Sequence, residues 1–138
     1  MIAAAFLTSA MGVEKNPEIG RQAPKIETIE GTNVVDGANS EGKTKVISFW
    51  SPKNAASRIA NRNLSLKYGD TASDIDFISI CTDSDEKLMQ EVMKIDGINE
   101  EKNYSYSSIA PRVFKDYRAE SNPKAYMVSG DGKILQIM

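Results

Sequence analysis

The sequence predicts an α/β fold in which a central mixed β-sheet is flanked by helices. Two β-rich runs, residues 45–50 and 76–81, are each followed by a segment with helical periodicity. Near the end of the chain, two apolar runs flank Gly-Asp-Gly at 130–132, which predicts a C-terminal β-hairpin. The order strand, helix, strand, helix requires parallel strands joined by crossovers, and the hairpin adds antiparallel strands.

The domain is preceded by an extended stretch. Residues 14–25 contain two prolines and a glycine among mixed charges, as is typical of a linker. We therefore assign residues 1–18 to an apolar N-terminal segment with its linker, and residues 19–138 to the domain. Residues 26–36 favour one or two short strands, and residues 37–44 have the composition of a turn.

The first long helix is predicted over residues 55–68. Pro52 interrupts strand pairing after Trp50, and the side chain of Asn54 or Ser57 is suited to cap a helix by accepting a backbone N–H bond. Apolar side chains then recur at helical spacing, which predicts an amphipathic helix that ends near Gly69. They are Ile59, Ala60, Leu64 and Tyr68.

The second strand leads into a second helix. Residues 82–85, Thr-Asp-Ser-Asp, are typical of a helix start, and Gly97 is suited to end the helix. Between them, Leu88, Val92, Met93 and Ile95 recur at helical spacing. Residues 98–108 are polar and irregular, so we expect a loop there.

The last third of the domain predicts a short helix and the hairpin. Pro111 favours a helix start within residues 109–119. Its predicted buried side consists of Val113, Phe114 and Tyr117. The hairpin strands are predicted at Ala-Tyr-Met-Val, residues 125–128, and at residues 133–138.

Composition excludes several kinds of chemistry. The chain has 138 residues, enough for one domain, and its 17 basic and 19 acidic residues give a net charge of -2, with no basic run that predicts nucleic-acid binding. There is no histidine, the commonest metal ligand and general base. The single cysteine, Cys81, rules out an intramolecular disulfide or a thiolate zinc cage within one chain. We therefore expect no metal and no cofactor.

Three local patterns occur together in the order found in a known family. An apolar strand ends in Phe49-Trp50 before a polar turn, residues 78–85 run from a strand into an acidic helix start, and Asn122-Pro123 precedes the hairpin. Over residues 19–138, this combination resembles the thioredoxin-like superfamily, and within it the bacterial periplasmic TlpA/ResA-like or redoxin group. Members of that family usually continue with a helix after the last hairpin, and we expect this terminal helix to be missing here.

The resemblance implies an active-site Cys-x-x-Cys, and this sequence departs from it. Aligned on Phe49-Trp50 and Arg58, the two cysteine positions fall on Asn54 and Ser57. Disulfide exchange needs a thiolate, whose pKa is lowered at a helix N-terminus, and a second thiol one turn away. An amide and an alcohol do not ionise near pH 7, and no histidine is available to activate Ser57. We expect both residues to cap the helix, with no catalytic residue at either position.

The leading functional hypothesis is a redox-inactive domain that binds a protein or peptide partner. The residues assigned to that surface are Trp50, Pro52, Lys53, Asn54, Ser57, Asn122 and Pro123. The resemblance implies a cis peptide at Asn122-Pro123, which would leave the backbone of Asn122 open to a partner strand. The alternative for Pro123 is a rigid turn that leads into an edge of the sheet.

A second hypothesis uses Cys81 as the reactive group of a one-cysteine thiol-disulfide oxidoreductase or peroxidase-like protein. It requires an exposed thiol with a depressed pKa. Cys81 ends an apolar strand, where cysteine usually behaves as a small buried hydrophobe, and the nearby Asp83 and Asp85 would raise its pKa.

The N-terminal segment and the sheet surface bear on localisation and assembly. Residues 1–12 are apolar without Lys or Arg, which favours a signal peptide that has lost its basic start; the alternative is a short helix that packs on the domain. About a dozen residues are too few to span a bilayer. We expect a periplasmic or secreted protein, or a cytoplasmic one if the segment is retained.

A sheet face without its terminal helix needs another layer, which a homodimer or the N-terminal segment would supply.

Overall fold

The computed structural model describes residues 17–35, 42–70, 74–98, 101 and 103–138. The predictions for residues 1–12, and for most of the turn at 37–44, lie outside the described residues. Within the described part, the chain forms a five-stranded sheet, a separate two-stranded hairpin and three α-helices, so the predicted α/β class is confirmed. No helix in these ranges is both long and apolar enough to cross a membrane.

The central sheet is mixed, as predicted. The strands are β1 (Ile26–Glu27), β2 (Asn33–Val35), β3 (Thr44–Trp50), β4 (Ile75–Cys81), β5 (Asn103–Tyr104), β6 (Ala125–Val128) and β7 (Ile134–Ile137). β1 and β2 form the antiparallel hairpin, and the other five lie in the order β5-β4-β3-β6-β7. β3 pairs parallel with β4, and β4 with β5. β6 pairs antiparallel with both β3 and β7, which confirms the C-terminal hairpin.

The helices begin and end at the residues that the capping signals indicate. They are α1 (Ala55–Tyr68), α2 (Glu86–Asp96) and α3 (Pro111–Asp116), with a 3-10 turn at Tyr106–Ser108. Asn54 caps α1 by accepting the Ser57 N–H at 2.9 Å, and Asp85 caps α2 by accepting the Leu88 N–H at 3.0 Å. Gly97 ends α2 with a φ of 68°, a left-handed conformation that glycine adopts without steric cost.

The prediction of a loop over residues 98–108 is wrong at one place. Asn103 and Tyr104 form the edge strand β5, in parallel register with Ser79 and Ile80 of β4. A strand of two residues carries no periodicity, and only its pairing with β4 defines it.

One face of the sheet carries an aromatic core. The ring of Phe49 lies 4.9 Å from that of Tyr117, 6.2 Å from Tyr126 and 6.5 Å from Phe114, measured between centroids. Val113, Phe114 and Tyr117 are all buried, which confirms the predicted inner side of α3. These contacts hold α3 against β3 and β6.

The inner face of α1 differs from the prediction. Ile59 is 59% exposed and Ala60 is also exposed, whereas the buried residues of the helix are Ser57 and Asn61. Asn61 is fully buried, and its side-chain oxygen accepts a hydrogen bond from Ser79 Oγ at 3.1 Å. Because β4 presents a serine at this point, a polar residue of the helix faces it, while Leu64 and Tyr68 are half-buried. In α2, Ile95 likewise points outward and is 75% exposed.

Candidate functional site

The predicted site residues lie at one end of the sheet. The parallel strands β3 and β4 both end there, and α1 and α2 both begin there. The loop before β6 reaches the same end, since Ser48 pairs with Ala125 and the Phe49 N–H donates to the Lys124 carbonyl at 3.0 Å. In open α/β sheets this end is where ligands usually bind.

The turn between β3 and α1, which contains the predicted site residues Asn54 and Ser57, is closed by its own hydrogen bonds. The Asn54 side chain accepts the Ser57 N–H, and the Asn54 N–H donates to the Ser51 carbonyl at 3.0 Å. The Ser57 hydroxyl accepts the Ser51 N–H at 3.0 Å and donates to the Asn54 carbonyl at 3.0 Å. The prediction that Asn54 caps the helix is confirmed, whereas Ser57 lies inside the helix and fastens the preceding turn.

This arrangement leaves Ser57 without the means to act as a nucleophile. The residue is 7% exposed, and its hydroxyl proton points to backbone carbonyls, which do not accept a proton near pH 7. The same hydroxyl gives the turn the two bonds that hold Ser51 and Asn54 in place. Asn54 and Ser57 therefore both stabilise this turn.

The turn is also connected to the loop that follows β4. Thr82 donates its N–H to the Trp50 carbonyl at 2.8 Å, and Lys53 Nζ lies 3.4 Å from the Asp83 carboxylate. Lys53 is 65% exposed on its side chain, whereas Asp83 is 13% exposed. An ion pair of this exposure contributes little to stability, but it positions the Lys53 side chain at the surface beside the helix start.

The seven residues predicted for the binding surface are not all accessible. Lys53, Asn54 and Asn122 are exposed, and Pro52 and Pro123 are half-buried. Trp50 is fully buried among Cys81, Met89, Val92 and Met93, so it supports the turn from below and does not reach a partner. Ser57 is buried as well, as described above. The residues available for contact are therefore Pro52, Lys53, Asn54, Asn122 and Pro123.

The expected cis peptide at Asn122-Pro123 is wrong. None of the peptide bonds in the described residues is cis. The trans form is favoured by about 0.5–1 kcal/mol at X-Pro bonds, and the Asn122 N–H is engaged by the Arg118 carbonyl at 3.3 Å. Pro123 thus agrees with the alternative, a turn into the sheet, although the strand it leads into, β6, is internal.

Cys81 lacks both properties that a reactive thiol needs. Its side chain is fully buried, and burial raises its pKa to about 11. Its Sγ lies 3.6 Å from the Asp83 carbonyl. These observations confirm the expectation of a small buried hydrophobe and oppose the hypothesis of a one-cysteine enzyme.

No group of three or more His, Cys, Asp or Glu side chains among the described residues is arranged to hold a metal ion.

The sequence did not predict one connection next to the site, the ion pair of Arg58 with Asp96. It joins the first turn of α1 to the end of α2. No local signal marks this pair, because its members are 38 residues apart.

Comparisons with known proteins place the fold. Protein-family models gave no match to the sequence, and curated proteins gave none either. Solved structures do match. A thioredoxin-like protein from Parabacteroides distasonis superposes with a TM-score of 0.71 at 23% identity, over 88% of each chain.

Two further matching structures are disulfide oxidoreductases. The thioredoxin domain of a thiol-disulfide oxidoreductase from Bacteroides vulgatus matches with a TM-score of 0.62 at 18% identity, over 87% of each chain. A secreted disulfide oxidoreductase from Mycobacterium tuberculosis matches with a TM-score of 0.61 at 22% identity, over 83% of this chain and 81% of that chain. The chain therefore has the thioredoxin-like fold, and its structural neighbours include thiol-disulfide oxidoreductases.

Proposed function

We propose that this thioredoxin-like domain does not exchange disulfides and instead binds a protein or peptide partner. The observation that carries the proposal is the state of the two motif positions. Asn54 and Ser57 occupy the start of α1 where the fold's sulfur chemistry would require thiols, and both are engaged in the turn. The single cysteine is buried elsewhere.

The partner surface that we propose consists of the exposed residues at this end of the sheet. Lys53 and Asn54 lie on the turn, and Asn122 lies on the loop that reaches the same end. Pro52 and Pro123 give both segments restricted backbones, which lowers the entropy lost on binding. A surface of this kind suits an extended peptide segment.

A gain-of-function experiment tests the loss of redox activity. The parent protein is expected not to accelerate the reduction of insulin by dithiothreitol above buffer. The double variant Asn54→Cys, Ser57→Cys places two thiols at the start of α1, where the helix lowers the pKa of the first, and is expected to accelerate it. The single variant Asn54→Cys, which lacks a resolving thiol, is the matched control. Activity of the parent above buffer would contradict the proposal.

A crosslinking experiment tests the surface. A photo-reactive amino acid at position 53 or 122 is expected to give a discrete adduct in the native host. The same group at Lys87 or Lys115, which are exposed on α2 and α3, is the control and is expected to give none. Equal adducts at all four positions would contradict a specific surface. Reversal of the charge of Arg58 is a poor test, because Asp96 would lose its partner.

Export and self-association are further parts of the proposal. We propose a periplasmic or secreted location, supported by the secreted neighbour and by the apolar residues 1–12. Mass spectrometry of the mature protein tests the proposed export, since an N-terminus still at Met1 would contradict cleavage.

Homodimerisation remains a prediction, supported by the exposed side chains of Leu135 in β7 and Met138 directly after it. Sedimentation as a monomer over a wide concentration range would contradict it.

A further inference from the structure

A cavity of about 390 Å³ lies between the end of α3, the loop before β6 and strands β6 and β7. Its size falls in the range of small-molecule pockets. Tyr117 and Tyr126 line it, and both contact the Phe49 ring, so the cavity lies on the aromatic-core face of the sheet. Only Asn122 is shared with the surface proposed above, and the inference below does not depend on that function.

The wall of the cavity carries an excess of positive charge. Arg118 and Lys124 both line it, and within the described residues neither side chain forms an ion pair or hydrogen bond. The one acid in the lining, Glu18, already pairs with Arg21 at 3.3 Å. Two cations are thus available to a ligand. The side chains of Ser121 and Asn122 add polar groups to the same wall.

Tyr126 adds a neutral donor to this wall. Burial raises the pKa of its hydroxyl above the usual value, so the group keeps its proton near neutral pH. Within the described residues, the Tyr126 hydroxyl has no hydrogen-bond partner, whereas the Tyr117 hydroxyl donates to the Pro24 carbonyl at 2.6 Å. Tyr126 is therefore free to donate to an anion, and Tyr117 is not.

Arg118 keeps a backbone conformation that costs energy. Its φ is 52°, in the left-handed region, and it is the only non-glycine residue of the described part with a positive φ. Glycine or asparagine usually occupies such a position at the end of a helix. The presence of a long cationic side chain there points to a task for the guanidinium.

The surroundings favour a single negative charge over two. The cavity lies at the carboxyl end of α3, where the helix dipole is negative and repels an anion. The carboxylate of Glu18 in the lining also repels an anion, and both repulsions are larger for a dianion. The Asn122 N–H is already bonded to the Arg118 carbonyl at 3.3 Å, so it does not serve a phosphate. Tyr117, Ile137 and Pro17 supply apolar lining for the body of a ligand.

We propose that this cavity binds a small ligand that carries a carboxylate on an apolar or aromatic body. The planar guanidinium of Arg118 matches a carboxylate with two parallel bonds, and Lys124 and Tyr126 contact the same group. The carboxylate comes from a free organic acid or from the C-terminus of a peptide, which present the same chemistry to the site.

Titration of the full chain, followed by NMR of its backbone amides, tests the proposal. Phenylacetate is expected to cause saturable shifts around Arg118, Asn122 and Lys124, and phenethylamine, which has a similar body and the opposite charge, is expected to cause none there. N-acetylphenylalanine and its amide distinguish the two sources of the carboxylate. Binding of N-acetylphenylalanine but not of its amide indicates that a peptide C-terminus fits. Binding of phenylacetate but not of N-acetylphenylalanine indicates a free organic acid. Absence of phenylacetate binding, equal binding of the amine, or tighter binding of inorganic phosphate would overturn the proposal.

Substitutions separate binding from folding. Arg118→Gly removes the cation and relieves the backbone, so it is expected to weaken phenylacetate binding about tenfold or more while the Tm stays equal or rises. Lys124→Gln is expected to weaken binding in the same direction. The control, Lys87→Gln with Lys94→Gln, removes two exposed charges on α2 and is expected to bind as the parent does. Unchanged affinity in Arg118→Gly, or an equal loss in the control, would overturn the site.

Discussion

The guanidinium of Arg58 holds the carboxylate of Asp96 by two hydrogen bonds, of 2.9 Å and 2.8 Å. Arg58 lies in the first turn of α1, and Asp96 is the last residue of α2. The Asp96 side chain is only 8% exposed, and the bond from Arg58 holds the pKa of its carboxyl below the usual value. The ion pair therefore joins the first turn of α1, at the candidate site, to the last residue of α2.

Removal of this charge is expected to destabilise the domain in a pH-dependent way. Because the pKa of Asp96 is lower in the folded state, its contribution is present above the unfolded value of about 3.9 and is lost as the pH falls through the folded value. Asp96→Asn is expected to lower the Tm by several degrees at pH 7, and less at pH 3 or below. Glu91→Gln, an exposed change in the same helix, is the control. An equal loss at both pH values would contradict this account.

The thiol of Cys81 is expected to react slowly in the folded protein. A pKa of about 11 leaves far less thiolate at pH 7 than a free cysteine has, so labelling should be roughly 100-fold slower or more. The rate of thiol labelling with a chromogenic disulfide, measured in the folded protein and after unfolding in guanidinium, gives the difference in reactivity. Cys81→Ala with Lys87→Cys provides an exposed thiol on the same domain for comparison. A native rate equal to that of this control would contradict the burial of Cys81.

The same pKa predicts alkaline sensitivity. Because the pKa of Cys81 is higher in the folded state, its contribution to stability is fully present below the unfolded value of about 8.5 and is lost as the pH rises towards about 11. Thermal unfolding of the parent and of Cys81→Ala across this range measures the effect, and the Tm of the parent is expected to fall more steeply. Parallel curves for the two proteins would argue against this assignment.

The cap formed by Asn54 is expected to contribute to stability independently of any partner. Asn54→Ala removes the acceptor for the Ser57 N–H and is expected to lower the free energy of unfolding by about 1 kcal/mol. Asn54→Asp keeps an acceptor and adds a charge that the helix dipole favours, so it is expected to match or exceed the parent. Denaturant unfolding at constant m-value measures both. If Asn54→Ala has the same free energy of unfolding as the parent, the hydrogen bonds of Ser57 and Ser51 are sufficient to hold the turn.

The buried pair Asn61 and Ser79 is expected to behave non-additively. Ser79 Oγ donates to the Asn61 oxygen at 3.1 Å, and the Asn61 amide nitrogen is buried without a partner in the described residues. Ser79→Ala leaves a second polar atom unsatisfied and is expected to cost about 1–3 kcal/mol. The double variant Asn61→Leu, Ser79→Ala removes every unsatisfied atom and is expected to recover that loss. Additive losses in the double variant would contradict an energetic coupling between Asn61 and Ser79.

Much of the fold could be predicted because its signals are local. β-rich runs and capping residues marked β3, β4, α1 and α2, and the Gly-Asp-Gly turn marked the hairpin. The strand β5 could not be predicted, because it consists of two residues defined by pairing with β4. The aromatic contacts of Phe49 and the ion pair of Arg58 join distant segments and leave no periodic trace in the sequence.

For the candidate site, the sequence indicated residue types but not which of those residues are buried. Asn54 and Ser57 were identified from their positions after Phe49-Trp50, and neither residue type ionises near neutral pH whatever its surroundings. The burial of Trp50 follows from its packing against α2, and the sequence alone did not indicate that the Asn122-Pro123 bond is trans. No pattern in the sequence pointed to Arg118 or Lys124, because the cavity that they line also needs Pro17, Glu18 and strand β7, which join this loop only in the folded domain.

By itself, the sequence determined which ionisable side chains the chain carries and where most regular elements begin, since residue type sets ionisation and neighbouring residues set caps and turns. The tertiary structure decided which side chains those elements bury. The periodicity of α1 assigned Ile59 and Ala60 to the inner face, yet Ser57 and Asn61 lie there, because β4 places Ser79 opposite the helix and a buried hydroxyl requires a hydrogen-bond partner. The same packing placed Cys81 out of reach of solvent, and burial is the largest cause of its raised pKa, ahead of the effects of the neighbouring Asp83.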